Sequence, residues 1–311
     1  MFPVILRTVF PILLLIGAGF SSMHFGLLKR GDERVLGRYI FYFALPALFI
    51  VNISEIEFAL ETLRFVAAAM IPHIIALSII FVIYLIFRFS RNLLYLIIVC
   101  TVFGSHSFFG LPFVIFAYDS EPQAEKLAVL SSSFIAISAV LITITTLERY
   151  KVGEASLWNS IKGVLKRLSR NPLIISITFG ILLGGFGLRI PAPVYRPLHM
   201  LGQSAAVVAI FMLGMSLYGR NYSNFFLAFK LSLIRMAFLP FTAFLMTRLF
   251  ALNELETTIA TIMHATPMAL ATMVFSEEYD FYQGVIPALM LISSIGAAVY
   301  LNIWLFFLGF P

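Results

Sequence analysis

Ten apolar stretches, each close to the length that crosses a lipid bilayer, follow one another along the chain. A helix that spans the hydrocarbon core of a membrane needs about 20 consecutive and mostly apolar residues. We therefore predict an all-α integral membrane protein with ten transmembrane helices, numbered segments 1 to 10. They occupy residues 3–27, 37–54, 64–88, 92–118, 126–148, 171–189, 196–219, 224–249, 255–276 and 283–309.

The composition agrees with this prediction. Of 311 residues, 61% are hydrophobic and 12% are charged, whereas roughly 25% of the residues in a typical soluble domain are charged. Outside the apolar stretches there are only short polar turns and one basic connection, residues 149–170. We expect no soluble domain.

Several kinds of chemistry lack the residues that they require. The single cysteine, Cys100, excludes an intramolecular disulfide and a cysteine-based metal cluster. The histidines show no spacing typical of a metal site, and no catalytic carboxylate pair, serine–histidine pattern or nucleotide-binding motif occurs. We expect no metal, no cofactor and no enzymatic activity. A proton or sodium ion could still be the coupling ion, and the sequence does not choose between them.

The basic residues are distributed unevenly between the two sides of the membrane. A pI near 9.5 also suits nucleic-acid binding, but lysine and arginine in membrane proteins concentrate in cytoplasmic loops. When alternate loops are assigned to one side, thirteen basic residues fall on that side and five on the other. We predict a multi-pass protein of the cell inner (plasma) membrane, embedded in lipid, with both termini outside and no nucleic-acid partner.

The ten segments divide into two halves of five. The first half is residues 1–148, the basic cytoplasmic linker is 149–170, and the second half is 171–311. Because five is odd, two structurally related halves must have opposite orientations, which is the inverted repeat common among secondary transporters. Pro112 in segment 4 and Pro267 in segment 9 lie inside the fourth helix of each half. Interrupted helices in corresponding positions indicate a transporter binding site.

Each of these prolines is expected to break its helix. Thr266 suits an N-cap and Pro267 suits the first position of a new helix. Gly110 and Pro112 are expected to do the same in segment 4, with hydroxyls from Ser105 and Ser107 nearby. A half-helix that begins inside the membrane points free N–H groups and partial positive charge at a ligand, which favours an anion. The alternative is a simple kink whose freed groups are satisfied by neighbouring helices.

Five further side chains in segments 4, 8 and 9 or at their ends are candidates. Arg235 lies about eleven residues into segment 8, near mid-membrane, so it either attracts an anion or forms an internal ion pair, or it snorkels to the surface. His106 and His264 either contact the substrate or a proton, or are satisfied by neighbouring groups. Glu277 and Glu278 end segment 9 and are either solvated or take part in coupling or gating.

Four motifs resemble the auxin efflux carrier family, which includes bacterial malate and malonate permease-like proteins. They are "GRYIFYFALPALF" in segment 2, "GLP" in segment 4, "IRMAFLP" in segment 8, and Pro267 followed by "VFSEEY" in segment 9. The resemblance spans the chain and implies two inverted five-helix repeats whose broken helices 4 and 9 cross at the substrate. It also implies a homodimer, a scaffold of helices 1, 2, 6 and 7, and an elevator-like moving part of helices 3–5 and 8–10.

One position departs from the family pattern. The resemblance implies an asparagine seven residues before the segment 4 proline, where it holds a substrate carboxylate, but this chain has Ser105 followed by His106. A serine donates one hydrogen bond and lacks the amide fork. Substrate identity therefore does not carry over from the family.

The sequence thus predicts a secondary active transporter of a small organic anion, a monocarboxylate or dicarboxylate, that works by alternating access. An anion channel or a ligand sensor on the same fold are the alternatives. The predicted substrate-binding residues are Ser105, His106, Ser107, Gly110, Pro112, Arg235, His264, Thr266 and Pro267, and the predicted coupling or gating residues are His106, Glu277 and Glu278.

Overall fold

A computed structural model describes residues 2–56, 59–119, 121–152, 169–220 and 222–310. Most of the predicted linker, residues 153–168, lies outside these ranges. The described parts are all-helical and contain no strand. The helices are α1 Phe2–His24, α2 Asp32–Ser54, α3 Leu60–Phe87, α4 Arg91–Val102, α5 His106–Ala117, α6 Pro122–Val152, α7 Pro172–Gly185, α8 Ala192–Leu217, α9 Phe225–Leu249, α10 Glu254–His264, α11 Ala271–Glu278 and α12 Val285–Phe307.

Eight of the predicted segments are single helices, and two are broken. Segment 4 is formed by α4 and α5, which residues 103–105 separate, and segment 9 by α10 and α11, which residues 265–270 separate. We call residues 103–105 break 1 and residues 265–270 break 2. Within the described ranges, six helices are long and apolar enough to cross a membrane, namely α2, α3, α6, α8, α9 and α12. The chain is therefore a multi-pass membrane protein.

Three helices contain a five-residue π-helical turn: Ile40–Ala44 in α2, His106–Gly110 in α5 and Ile234–Phe238 in α9. Each turn is followed directly by Leu-Pro, and the sequence has no other Leu-Pro pair. Proline lacks the N–H that continues an α-helix, and its ring clashes with the carbonyl four residues before it. A wider turn relieves this clash. The π turn therefore accommodates the proline without ending the helix.

This finding corrects the predicted position of the break in segment 4. Gly110 and Pro112 were expected to start a new helix, but both lie inside α5, which begins at His106. The chain is unwound at residues 103–105, seven or more positions before Pro112.

Glycines set the closest helix contacts on one side of the molecule. The helix α1 packs along α8, where a Cβ atom added to Gly19 or Gly214 would overlap the backbone of the opposite helix. The helix α2 packs against both α7 and α8, and Gly180 and Gly202 give its backbone room. Small residues at such contacts allow membrane helices to approach closely.

The other helices surround the two breaks. The helix α9 packs against α3 and α10, while α6 packs against α3, α4 and α10. The outward faces of the long helices are apolar. On α3, for example, Ile74, Ile86 and Phe87 are exposed. Such a face suits contact with lipid, and the polar groups are buried between helices instead.

Candidate functional site

The two breaks pair with each other through their backbones. The Ser105 N–H donates to the Pro267 carbonyl over 2.8 Å, and the Ala269 N–H donates to the Phe103 carbonyl over 3.0 Å. Gly104 and Met268 lie opposite each other in an antiparallel bridge. Non-helical backbone is tolerated at membrane depth only where protein or water satisfies its polar groups. Each break therefore donates one N–H and accepts one hydrogen bond from the other, which satisfies backbone groups that no helix satisfies.

Break 2 is longer than the sequence predicts. Thr266 was expected to cap a new helix that starts at Pro267, but α11 begins at Ala271. The Thr266 hydroxyl instead donates back to the Met263 carbonyl over 3.1 Å, at the end of α10. The Pro267 carbonyl is engaged by Ser105, so both residues belong to the extended stretch that pairs with break 1.

Arg235 joins the two breaks. It is fully buried, its Nε donates to the Thr266 carbonyl over 2.6 Å, and its Nη1 donates to the Thr101 carbonyl. Its Nη2 donates to the Thr266 hydroxyl over 3.2 Å. These carbonyls lie at the carboxyl ends of α4 and α10, where partial negative charge accumulates. The guanidinium therefore caps both half-helices at once.

The structure excludes one interpretation of Arg235. Snorkelling is wrong, because the side chain is enclosed at mid-helix. Among the described residues no carboxylate forms an ion pair with it. Three of the five guanidinium N–H groups are used in the bonds described above.

Two glycines allow these close approaches. A Cβ atom added at Gly104 would lie 2.6 Å from the guanidinium carbon of Arg235 and 2.7 Å from Cε1 of His106. One added at Gly110 would lie 2.5 Å from the methyl carbon of Thr266. Such separations are shorter than van der Waals contact, so both positions require glycine for space. Gly110 places the first turns of α5 directly against break 2.

His106 contacts break 2 through one ring nitrogen. Its Nδ1 lies 2.8 Å from the Met263 carbonyl oxygen and 3.2 Å from the Thr266 hydroxyl. A carbonyl only accepts and the hydroxyl already donates to Met263, so Nδ1 carries the proton. The other nitrogen, Nε2, is buried without a hydrogen-bond partner.

The second candidate histidine, His264, ends α10 and reaches α3. Its Nε2 lies 2.7 Å from the Ala69 carbonyl oxygen and must donate to it. Its Nδ1 is buried without a partner. His264 therefore links α10 to α3 and keeps one free nitrogen.

The structure brings most of the predicted site residues together. All nine predicted substrate-binding residues are buried. Seven of them lie in the breaks or in the helix ends beside them, and the buried arginine bonds to break 2. Ser107 bonds to Ser132 of α6 over 2.7 Å. Pro112 is the exception, because it lies farther along α5. Glu277 and Glu278 are exposed at the end of α11, away from the buried group.

A cavity of about 710 Å³ opens beside α11. Its rim is mostly basic, with Arg30, Arg34 and Arg220, and it also contains Glu33 and Glu277. Its walls come from the ends of α1 and α8, from α11, and from the starts of α2 and α12. Of the described residues that line it, none is among the nine predicted substrate-binding residues.

Comparison with known proteins decides the family. A sequence profile described as membrane transport protein matches residues 4–305, which is nearly the whole chain. The chain belongs to the membrane transport protein family. The resemblance to auxin efflux carriers that the motifs predict is thereby confirmed.

One curated relative of this family member spans almost the same length. It is an uncharacterized transporter of Methanocaldococcus jannaschii, 24% identical over 301 residues, which cover 94% of this chain and 95% of that protein. The relative and the family both support a role in membrane transport.

Sequence reasoning missed four residues of this transport protein that contact the predicted site residues or the histidine beside them: His73, Thr101, Ser132 and Ser138. His73 follows Pro72 in an otherwise apolar helix, and a lone histidine there is a usable signal. Ser132 and Ser138 belong to a hydroxyl-rich run, "SSSFIAIS", which the sequence alone suggests as helix packing. Instead they bond to Ser107 and His73. Thr101 contributes only its carbonyl, which no side-chain pattern reveals.

The exposed Glu277 gives a prediction for this transport protein. Glu277 pairs with Arg220 over 3.0 Å, with 57% and 34% of the two side chains exposed. Exposed ion pairs contribute about 0.2–1 kcal/mol. We expect Glu277→Gln to lower the free energy of unfolding by less than about 1 kcal/mol, as measured by denaturant unfolding in detergent at low and high salt. Glu278→Gln on the same helix end is the control, and a much larger loss for Glu277→Gln would contradict a solvated pair.

Proposed function

We propose that this protein is a secondary active transporter of a small organic anion, a monocarboxylate or dicarboxylate, and that it works by alternating access. One observation carries the proposal. Two interrupted helices are joined at their breaks, and a buried arginine lies at the junction. Transporters commonly place their binding sites at such discontinuous helices. Membership of a membrane transport family supports transport rather than catalysis.

The charges at the junction favour an anion. The helices α5 and α11 both begin at a break, and neither has a side-chain cap. The first N–H groups of a helix have no partner within it and carry partial positive charge. Arg235 adds a full charge that no carboxylate among the described residues offsets. At the start of α11 the Thr272 and Met273 N–H groups already donate to the Ala269 and Leu270 carbonyls, so the start of α5 and Arg235 are the main sources of positive charge for a carboxylate.

Individual residues then take proposed roles. The amides at the start of α5 hold the carboxylate, with the hydroxyls of Ser105 and Ser107 beside it. Arg235 supplies positive charge, and its two remaining N–H groups are the ones that an anion would use. Thr266 and Pro267 shape the opposite wall, and His106 and His264 line the junction. Gly110 keeps the two halves close, while Pro112 sets the π turn that begins α5.

The finer architecture is also a proposal. The breaks occupy the fourth segment of each half of the chain, which supports two inverted five-helix repeats with helices 4 and 9 crossing. The packing of α1 with α8, and of α2 with α7 and α8, supports a scaffold formed by these four helices. The remaining helices would be the moving part. We further propose a homodimer in the plasma membrane with both termini outside, so that the basic cavity faces the cytoplasm.

Counterflow in proteoliposomes tests the function. Liposomes loaded with one unlabelled carboxylate take up the labelled form against its gradient only if the protein exchanges it. We expect counterflow with at least one member of a panel that includes malonate and malate. Protein-free liposomes are the control. Background uptake with the whole panel would overturn the proposal. Single-channel currents would indicate a channel instead, and binding without flux would indicate a sensor.

A further inference from the structure

Three histidine rings from three helices meet beside the breaks. His73 of α3, His106 at the start of α5 and His264 at the end of α10 are 0%, 2% and 0% exposed. The ring centroids of His73 and His264 are 5.2 Å apart, and each of these rings lies 6.3 Å from that of His106. We call these residues the histidine triad. No sequence spacing connects His73 to the other two.

Hydrogen bonds determine which nitrogen of each ring carries the proton. The Nδ1 of His106 and the Nε2 of His264 donate to backbone carbonyls, as described above. The Nδ1 of His73 lies 2.8 Å from the Ser138 hydroxyl, which itself donates to the Ile135 carbonyl. Since a hydroxyl has only one hydrogen to donate, the Nδ1 of His73 must be the donor.

Each ring therefore has one lone pair left over. The Nε2 of His73, the Nε2 of His106 and the Nδ1 of His264 are all buried without a hydrogen-bond partner. Buried polar groups without partners are rare in folded proteins and require an explanation. Three lone pairs in one cluster form a site that accepts a proton.

A metal or sodium ion fits this site less well. Among the described residues, no group of three or more histidine, cysteine, aspartate or glutamate side chains is arranged to hold a metal ion. Hard cations prefer oxygen ligands, whereas the triad offers ring nitrogens. An imidazole lone pair binds a proton or a transition metal but is a poor ligand for sodium, so of the two candidate coupling ions the proton matches this site.

The charged surroundings make proton uptake depend on an anion. The charged group that faces the triad is Arg235 of α9, and the other titratable groups around Arg235 are Cys100 of α4 and Tyr300 of α12. No carboxylate among the described residues forms an ion pair with the triad or with Arg235. A proton on the triad would be repelled by the guanidinium. An anion bound at the junction would relieve that repulsion, and by linkage the proton would strengthen anion binding.

We propose that the histidine triad is the coupling site of this transporter and that one proton moves with each anion. This inference rests on the proposed function and adds the identity of the coupled ion. His73 is the most informative residue, because it is not among the residues proposed to touch the anion.

The first experiment uses the wild-type protein in liposomes whose membrane potential is clamped with potassium and valinomycin. Accumulation of labelled malonate and malate is measured under an imposed inward proton gradient or an inward sodium gradient. With one coupled proton, each unit of pH gradient raises the accumulation ratio by up to about tenfold. Accumulation driven by sodium, or counterflow that no pH gradient can convert into accumulation, would overturn the inference. Absence of counterflow throughout the panel would overturn the proposed function, and the inference would fail with it.

The second experiment assigns the proton to the triad. For His73→Gln, His106→Gln and His264→Gln, pH-driven accumulation is divided by the counterflow rate of the same preparation. For His73→Gln we expect the ratio of accumulation to counterflow to fall to the value measured without a pH gradient. For His106→Gln and His264→Gln we expect a lower ratio than for the wild type. The control is His24→Gln, an exposed position, whose ratio should equal that of the wild type. Full pH-driven accumulation in all three variants would overturn the assignment.

For variants that fold but transport too slowly for accumulation to be measured, the proton bound together with the anion is measured instead. Proton uptake on addition of malonate or malate is followed with a pH indicator in weakly buffered detergent solution. We expect about one proton per bound anion for the wild type and a clear loss in the triad variants. The thermal unfolding midpoint confirms that each variant is folded, and His73→Asn replaces His73→Gln if the latter is not. Undiminished uptake in the folded variants would contradict the proposal.

Discussion

Alanine in place of Arg235 is expected to abolish carboxylate counterflow. The substitution removes the donors to the Thr101 and Thr266 carbonyls, so the ends of α4 and α10 lose their shared cap. A buried acceptor without a donor costs about 1–3 kcal/mol. Removal of the buried charge recovers part of that cost. We expect a net loss of about 1–3 kcal/mol in the free energy of unfolding and a fall in transport of at least about 100-fold, equivalent to about 2.7 kcal/mol.

Two further variants sharpen this result. Arg235→Lys retains the charge but lacks the planar fork that reaches both carbonyls, so we expect it to remain strongly impaired. Arg248→Ala is the matched control on the same helix, because Arg248 is exposed and lies 5.1 Å from the Phe244 ring centroid. We expect Arg248→Ala to change stability by less than about 0.5 kcal/mol. Normal counterflow by Arg235→Ala would contradict the prediction, because it would show that transport does not require the Arg235 hydrogen bonds to the Thr101 and Thr266 carbonyls.

Gly104→Ala is expected to have a similar effect through a single methyl group. That methyl would lie 2.6 Å from the guanidinium carbon of Arg235 and 2.7 Å from the His106 ring, so either the arginine moves or the bridge to Met268 opens. Overpacking of this kind costs about 1–3 kcal/mol. We expect counterflow to fall by at least about tenfold, equivalent to about 1.4 kcal/mol, with a lower unfolding midpoint.

Gly17→Ala is the control for this substitution. A Cβ atom added at Gly17 of α1 has nothing within 4 Å, and alanine is favoured over glycine inside a helix by about 0.5–1 kcal/mol. The unfolding midpoint of Gly17→Ala should be equal to that of the wild type or higher, with normal counterflow. If both glycine variants behaved alike, crowding at Arg235 would not explain the loss in Gly104→Ala.

The helices and the existence of two breaks could be predicted from the sequence, because both depend on local properties. Apolar length sets the helices, and residues that disrupt helices mark segments 4 and 9. The exact position of each break could not be predicted, because it depends on partners distant in sequence. Pro112 is absorbed by a π turn, and Pro267 is held in an extended stretch by the Ser105 N–H. Each Leu-Pro pair in this chain follows a π turn. The Leu-Pro pair is therefore the local sequence feature that indicates a continuous helix at Pro112.

The partners of buried polar groups could not be predicted either. A charged side chain such as Arg235 is costly inside a membrane and stands out in the sequence, but its acceptors are backbone carbonyls, which every residue has. No sequence pattern links His73 to the breaks, because it is 33 residues before His106 and only the packing of α3 against α6 and α9 brings the two together. The chemistry of a single side chain identifies it as a candidate site residue. Which candidates contact one another can be known only from the fold.

The pairing of the breaks has a consequence for how specificity diverges within this family. The two hydrogen bonds use main-chain atoms of Ser105, Pro267, Ala269 and Phe103, so any residue except proline at position 105 can donate the same N–H. The side chain at position 105 therefore takes no part in the hydrogen bonds that join the two breaks. Serine can stand where the resemblance implies an asparagine while both hydrogen bonds of the junction are kept, and under the proposed function a change of side chain at this position would alter the substrate without altering the fold.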